Sequence, residues 1–204
     1  METEQPNSDS FDENQSIKVI REMIQVSQKK LRNDGILFIL WGWISFINYF
    51  FFTYLTSVCI TTHQIMQFVI PMRTLLPIFG LAYTVYYILN QRNKVQTYIG
   101  ISLRYVWFTL FGCMVLINLI QANVIHSINF QLQHPIFMVL IAFAIIVTGG
   151  ILRYRIIITG GIIFGILAYV ASFFELNTQL LVEAIAWMIA FIIPGHVLYY
   201  KRNS

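Results

Sequence analysis

Residues 135–155 read PIFMVLIAFAIIVTGGILRYR. The first 18 of these residues form an uncharged, mostly apolar run, which ends at Arg153 and Arg155. A helix needs about 20 mostly apolar residues to cross the hydrocarbon layer of a membrane. Because nearly every residue before the two arginines is apolar or small, the stretch predicts a membrane-spanning helix over approximately 135–151.

Five further runs of the same kind lie on either side of this one. The chain is 57% hydrophobic and only 11% charged, with a mean hydropathy of +0.68, whereas soluble domains are about 25% charged. We therefore predict an all-α polytopic membrane bundle of six transmembrane helices joined by short loops. The predicted spans are approximately 36–58, 67–89, 97–120, 135–151, 156–174 and 179–200.

The basic residues alternate between the ends of these spans. Most Lys and Arg residues outside the spans fall at every second junction, while the other junctions carry almost none; the basic junctions hold Lys29, Lys30, Arg32, Arg92, Lys94, Arg153, Arg155, Lys201 and Arg202. Loops rich in Lys and Arg stay on the cytoplasmic side during insertion. The pattern predicts that both termini are cytoplasmic.

The net charge of +4 and the isoelectric point near 9.1 do not indicate nucleic-acid binding, because the positive charges flank the spans. Charges placed in this way meet the lipid headgroups, so we expect the bilayer, including its anionic lipids, to be their partner. We expect no nucleic-acid partner.

The first 34 residues differ from the rest of the chain. Residues 1–14 are polar and acidic, which predicts disorder. Residues 15–34 alternate apolar and charged positions at helical spacing, which predicts an amphipathic cytoplasmic or interfacial helix. This helix can lie among the headgroups, dock on the bundle or bind a cytoplasmic protein. Residues 35–204 form the predicted six-helix transmembrane domain.

Ionisable residues inside predicted spans are the first candidates for a functional site, because each is costly in lipid. They are Arg73, Arg104, Glu183 and, at a shallower depth, His196. Arg73 and Glu183 are predicted at similar depth and can pair. Two interpretations stay open: a ligand or ion pathway, with Arg104 the deepest candidate, or side chains that pair or extend to the nearer membrane surface.

Small residues recur along the fifth predicted span. Gly161 and Gly165 form a GxxxG motif that Ala168 and Ser172 extend along nearly the same face. Small residues let transmembrane helices approach closely. The motif therefore predicts a helix-packing face, used either within one subunit or between subunits of a homo-oligomer.

Motifs for chemistry are sparse. The sequence contains no HExxH zinc motif, no GxSxG nucleophile motif and no phosphate-binding P-loop. Three histidines, His63, His126 and His134, are predicted in outer loops, but no pair has ligand spacing on a helix. We expect no metal, no cofactor and no catalytic residue, and the sequence favours a protein that is not an enzyme.

Two motifs resemble those of small six-span inner-membrane proteins of bacteria. One is Leu40-Trp41-Gly42-Trp43, which follows the amphipathic segment, and the other is the segment from Thr148 to Arg153 followed by Thr159-Gly160-Gly161. The resemblance covers most of the chain and implies a fold and a location, the bacterial inner (plasma) membrane. It implies no activity and no site residue.

Two functions are compatible with these features. The first is a non-enzymatic membrane scaffold or regulatory protein that acts through helix–helix contacts and through residues 15–34. The second is a subunit of a transporter or channel for a small solute or ion, with a site near Arg104 or between Arg73 and Glu183.

Overall fold

The computed structural model describes residues 17–19, 21–22, 35–55, 63–90 and 98–200, which form helices joined by turns and contain no strand. The helices are numbered here in chain order. They are α1, Gly35–Ile47 continued by the π-helical Asn48–Leu55; α2, His63–Asn90; α3, Tyr98–Val124; α4, Phe130–Leu152; α5, Arg155–Ala171; and α6, Leu176–Trp187 continued by the π-helical Met188–Ile192 and the α-helical Ile193–Tyr200.

Three helical segments in the described part of the chain are long and apolar enough to cross a membrane: Gly100–Val124, Phe130–Leu152 and Leu176–Tyr200. Two others, Ile36–Phe51 and Arg155–Ala171, are apolar but shorter. In the part of the chain that the structure describes, the protein is thus an all-helical membrane protein. The predicted disordered segment 1–14 lies outside the described residues. Of the predicted amphipathic helix 15–34, only residues 17–19 and 21–22 are described, and these are helical and exposed.

The α4–α5 pair is joined by a two-residue turn and packs backbone against backbone. Arg153 adopts a left-handed conformation (φ 56°) and closes α4, with its N–H donating to the carbonyls of Gly149 and Gly150. A Cβ atom on Gly149 would lie 2.8 Å from the backbone nitrogen of Ile158. The turn and the missing side chain together hold the start of α5 directly against the end of α4.

The core is formed mainly by α4, α5 and α6. Phe164 of α5 is fully buried edge-on against Trp187 of α6, with ring centroids 5.6 Å apart, and Trp187 stacks at a tilt on Phe191 at 4.4 Å. Gly160 brings α5 close to α6, because a Cβ there would lie 3.2 Å from the Cα of Ala190. The interface between α5 and α6 thus combines packed aromatic rings with a close backbone contact at a glycine.

Helix α1 lies against the second half of α6. A Cβ on Gly42 would meet Phe191 and Ile192 at 2.9 Å, and one on Gly195 would lie 3.0 Å from the nitrogen of Ile39. Pro194 follows the π-helical segment of α6. A proline has no N–H to donate to the preceding turn. Just before it, the N–H of Ile193 donates to the carbonyl of Met188, five residues back, which is the spacing of a π-helix.

Helices α2 and α3 are peripheral. Helix α2 is held to α1 by a hydrogen bond of 3.0 Å from the indole nitrogen of Trp41 to the hydroxyl of Thr84, close to the buried Gly80. Helix α3 packs on α4, but only 6% of its most apolar stretch is buried. Both helices expose large apolar side chains, as expected of surfaces that face lipid.

Candidate functional site

A buried carboxylate lies in the first half of α6. Glu183 is 1% exposed and is flanked on the same helical face by Gln179 and Trp187, one turn before and after it. The exposed fraction of Gln179 is also 1%, and the Oε1 of Gln179 and the indole nitrogen of Trp187 have no hydrogen-bond partner. Three side chains with polar atoms therefore line one face in the first half of α6.

His134 of α4 is the direct partner of this carboxylate. Its Nδ1 lies 2.8 Å from the Oε2 of Glu183, and the side chain of His134 is 17% exposed whereas that of Glu183 is 1% exposed. No other ion pair occurs among the residues that the structure describes. Because one partner reaches the surface and the other is enclosed, His134 connects the buried carboxylate to the outside of the bundle.

Tyr49 approaches the pair from α1. Its hydroxyl donates a side-chain hydrogen bond to Glu183, and its ring stands edge-on to the His134 ring with centroids 5.9 Å apart. Tyr49 is the second residue of the π-helical part of α1. Single π turns inside α-helices are frequent at functional sites, and here the wider coil carries the residue that completes the cluster. We call Tyr49, His134 and Glu183 the acid–histidine cluster.

Amide side chains fix the start of α4 beside the cluster. The Nε2 of Gln133 donates to the Oδ1 of Asn118 at 2.8 Å, and the backbone N–H of Asn129 donates to the Oε1 of Gln121 at 3.0 Å. Gln133 and Gln121 are buried. These bonds tie α4 to α3 and so hold the backbone that carries His134.

The pair has a simple chemical capacity. With His134 neutral and Glu183 ionised, the imidazole donates to the carboxylate and the pair carries one negative charge. Uptake of one proton makes it neutral overall, whichever residue holds that proton. A carboxylate enclosed in apolar surroundings is unfavourable without compensation, and the hydrogen bonds from His134 and Tyr49 supply part of that compensation.

Arg73, one of the candidates predicted from the sequence, lies near the cluster. Among the described residues it forms no ion pair with Glu183. Arg73 is exposed on α2, close enough for its charge to act on Tyr49, and its backbone carbonyl accepts a hydrogen bond of 3.0 Å from Asn48. Glu183, which was predicted to be able to pair with Arg73, pairs with His134 instead.

The other two ionisable candidates lie elsewhere. Arg104 is half-buried on α3 and stays a prediction as a site. The Nδ1 of His196 lies 2.8 Å from the carbonyl oxygen of Ile192. A carbonyl can only accept, so the ring donates this bond within its own helix. The structure therefore brings neither residue into the acid–histidine cluster.

The predicted packing residues separate into two groups. A Cβ on Gly161 would lie 2.7 Å from a side-chain carbon of Ile146 in α4, Gly165 faces Ala142 at 3.5 Å, and Ala168 is fully buried. These contacts are within one subunit. Ser172 does not continue the face: it is exposed beyond the end of α5, and its hydroxyl donates to the carbonyl of Tyr169.

Sequence reasoning missed His134 and Tyr49. We predicted His134 in an outer loop of residues 121–134, but α4 begins at Phe130, capped by the side chain of Asn129 that accepts from the N–H of Leu132. Asn129 was the available signal, since asparagine is a preferred helix-capping residue. Within the described residues, no three His, Cys, Asp or Glu side chains are arranged to hold a metal ion.

Comparisons with known proteins add nothing to this geometry. No family model, no curated protein and no solved structure matches the chain.

Proposed function

We propose that this protein is a six-span bacterial plasma-membrane protein, with both termini in the cytoplasm, that takes up and releases a proton at Glu183 as part of the movement of an ion or small solute. The observation that carries the proposal is the buried carboxylate of Glu183, 2.8 Å from a partly exposed histidine in a helix long enough to span the membrane. Ionisable residues inside a membrane-spanning helix commonly mark ion pathways or proton relays.

The arrangement supports a route with two steps. His134 is reached from the surface, and an imidazole can both accept and donate a proton. Its Nδ1 then faces Glu183 across one hydrogen bond. Tyr49 and Glu183 share a second hydrogen bond. A proton entering through His134 thus arrives at a carboxylate that two donors already orient.

The six-span topology rests on helix lengths and on the basic junctions. Helix α5 has 17 residues, about 25 Å at 1.5 Å per residue, somewhat less than the roughly 30 Å hydrocarbon thickness. Arg153 and Arg155 at its start are exposed and can extend to the headgroups, which accommodates a short span. Reporter fusions after residues 92, 127, 153, 174 and 204 test this topology. We expect a cytoplasmic signal at the first, third and last positions and an external signal at the other two.

The test of proton uptake takes the proton itself as the transported ion. It uses the full chain in liposomes that contain a pH-sensitive dye, driven by a potassium diffusion potential that is negative inside. We expect acidification with the wild-type protein and none with Glu183→Gln, which keeps the size of the side chain but cannot ionise. Glu175→Gln is the matched control, because Glu175 is exposed at the start of the same helix. Equal proton flux in wild type and Glu183→Gln would contradict the proposal.

A second function, a membrane scaffold or regulatory protein, is favoured by the exposed N-terminal helical turn. Ile17 and Val19 are 55% and 50% exposed beside the exposed Lys18. An apolar residue that is exposed next to a base suits contact with headgroups or with a partner protein. Deletion of residues 1–34 tests this function. We expect loss of a reproducible cross-linked partner while Glu183-dependent proton flux is retained.

A further inference from the structure

An open groove of about 570 Å³ runs along the end of the bundle at which α4 begins. Its walls are mostly apolar: Leu132, Ile136 and Val139 come from α4, and Ala168 and Tyr169 from α5. The polar lining residues are Asn129, Gln131, Ser172 and Gln179. From Leu132 to Leu140 the groove follows α4 over nine residues, which is eight steps of the helical rise, or about 12 Å. This is close to the depth of one leaflet of hydrocarbon, about 15 Å.

The polar end of the groove contains an unused acceptor. Gln179 lines the groove, is 1% exposed, and donates its Nε2 to the carbonyl of Phe174 at 3.0 Å, while its Oε1 has no partner. Exchanging the two amide atoms would set one oxygen against another, so the carbonyl contact fixes the orientation. An unpaired buried acceptor is unfavourable, and a donor on a bound molecule would offset that cost.

We infer that the groove binds a phospholipid with an ethanolamine headgroup, its chain along α4 and its ammonium group donating to the Oε1 of Gln179. The unused atom is an acceptor, so the headgroup must donate, which excludes the trimethylated ammonium of choline. The groove is lined by no Lys or Arg, so an anionic headgroup has no counter-charge among its lining residues. Glu175, one turn before Gln179 on α6, adds a negative charge that favours a cation.

The test is native mass spectrometry of the full-length protein, released from nanodiscs that contain equal amounts of ethanolamine, choline and glycerol phospholipids. We expect the ethanolamine lipid to be retained roughly tenfold over the choline lipid, the discrimination of one charge-assisted hydrogen bond. Gln179→Leu should reduce the ratio to near one. Asn123→Leu is the matched control, an exposed amide at the adjacent end of α3.

A second pair of variants tests the groove itself. Val139→Trp should fill it and release the lipid, whereas Phe143→Trp, one turn along α4 on an exposed position outside the groove, should not. Preference for the glycerol lipid, or an unchanged ethanolamine preference in Gln179→Leu, would overturn the assignment. Loss of lipid only in Val139→Trp would also overturn the assignment, because it would show that the groove binds acyl chains without recognising the headgroup. Glu183→Gln should leave lipid retention unchanged. The lipid assignment and the proposed proton uptake at Glu183 can therefore be refuted independently of each other.

Discussion

Helices α3 and α6 are both membrane-length, and their candidate spans have 25 residues each, yet they occupy opposite environments. In the most apolar stretch of α6, 56% of the residues are buried in the protein, against 6% in α3. A segment enters the membrane because it is apolar, and both helices meet that condition. Apolarity therefore does not decide which of the two packs inside the bundle.

Small and polar residues make that difference. Gly160 of α5 meets α6 at Ala190, whereas Gly112 of α3 has no neighbour within 4 Å of a Cβ built on it. Glu183 is enclosed in α6, whereas Arg104 is only half-buried in α3. In lipid, close backbone contact and hydrogen bonds drive helix association, since lipid chains are as apolar as leucine.

The largest expected effect comes from placing a large side chain on a contact glycine. Gly161→Leu should lower the free energy of unfolding by about 3 kcal/mol, because a Cβ there already lies 3.1 Å from the backbone nitrogen of Ile146. Gly112→Leu on α3 should change it by less than about 0.5 kcal/mol. Equilibrium unfolding in mixed micelles measures both. Equal losses would break the distinction between the core and α3.

The acid–histidine cluster gives the next largest effect. His134→Leu should destabilise the protein more than the double variant His134→Leu/Glu183→Leu, because the single change leaves a buried carboxylate without its partner. We expect a coupling free energy of about 1–2 kcal/mol from a double-mutant cycle. Strictly additive losses would show that the 2.8 Å contact contributes no coupling to stability.

A smaller effect is expected where α2 joins the bundle. Thr84→Val should cost about 1 kcal/mol, because it removes the acceptor of the Trp41 indole while keeping the shape of the side chain. The loss should appear as increased protease or hydrogen-exchange access to α2, with α4–α6 unchanged. Thr159→Val is the control, since that hydroxyl donates only within its own helix. Equal exchange in both variants would contradict an attachment through Trp41.

The last effect is similar in size to that of Thr84→Val but has the opposite sign. Arg153 and His126 both have φ of 56°, a conformation that favours glycine. Arg153→Gly should raise the free energy of unfolding by about 1 kcal/mol, because it relieves strain in the turn that joins two core helices. His126→Gly, in the connection between α3 and α4, should raise the free energy of unfolding by less than about 0.5 kcal/mol. Arg153→Ala keeps the strain and controls for the lost charge.

Much of the helical layout was predictable, and one part of the site was not. The predicted spans 97–120 and 156–174 overlap the observed α3 and α5 with small shifts at their ends, because an apolar run ends where polar residues begin. The sequence also placed Glu183 inside a predicted span, because it is an isolated charge within an apolar run. Its partner was missed because His134 and Gln133 interrupt the apolar pattern, and only the side-chain cap at Asn129 starts the helix before them.

The sequence by itself determined that the chain is helical and resides in a membrane, because hydrophobic partition depends on composition along the chain. The tertiary structure decided which apolar helices are enclosed and which acid meets which base. Those outcomes depend on the rotation of each helix about its axis, and packing against neighbours sets that rotation. The contact between His134 and Glu183, 49 residues apart in the chain, exists only once α4 and α6 are packed face to face.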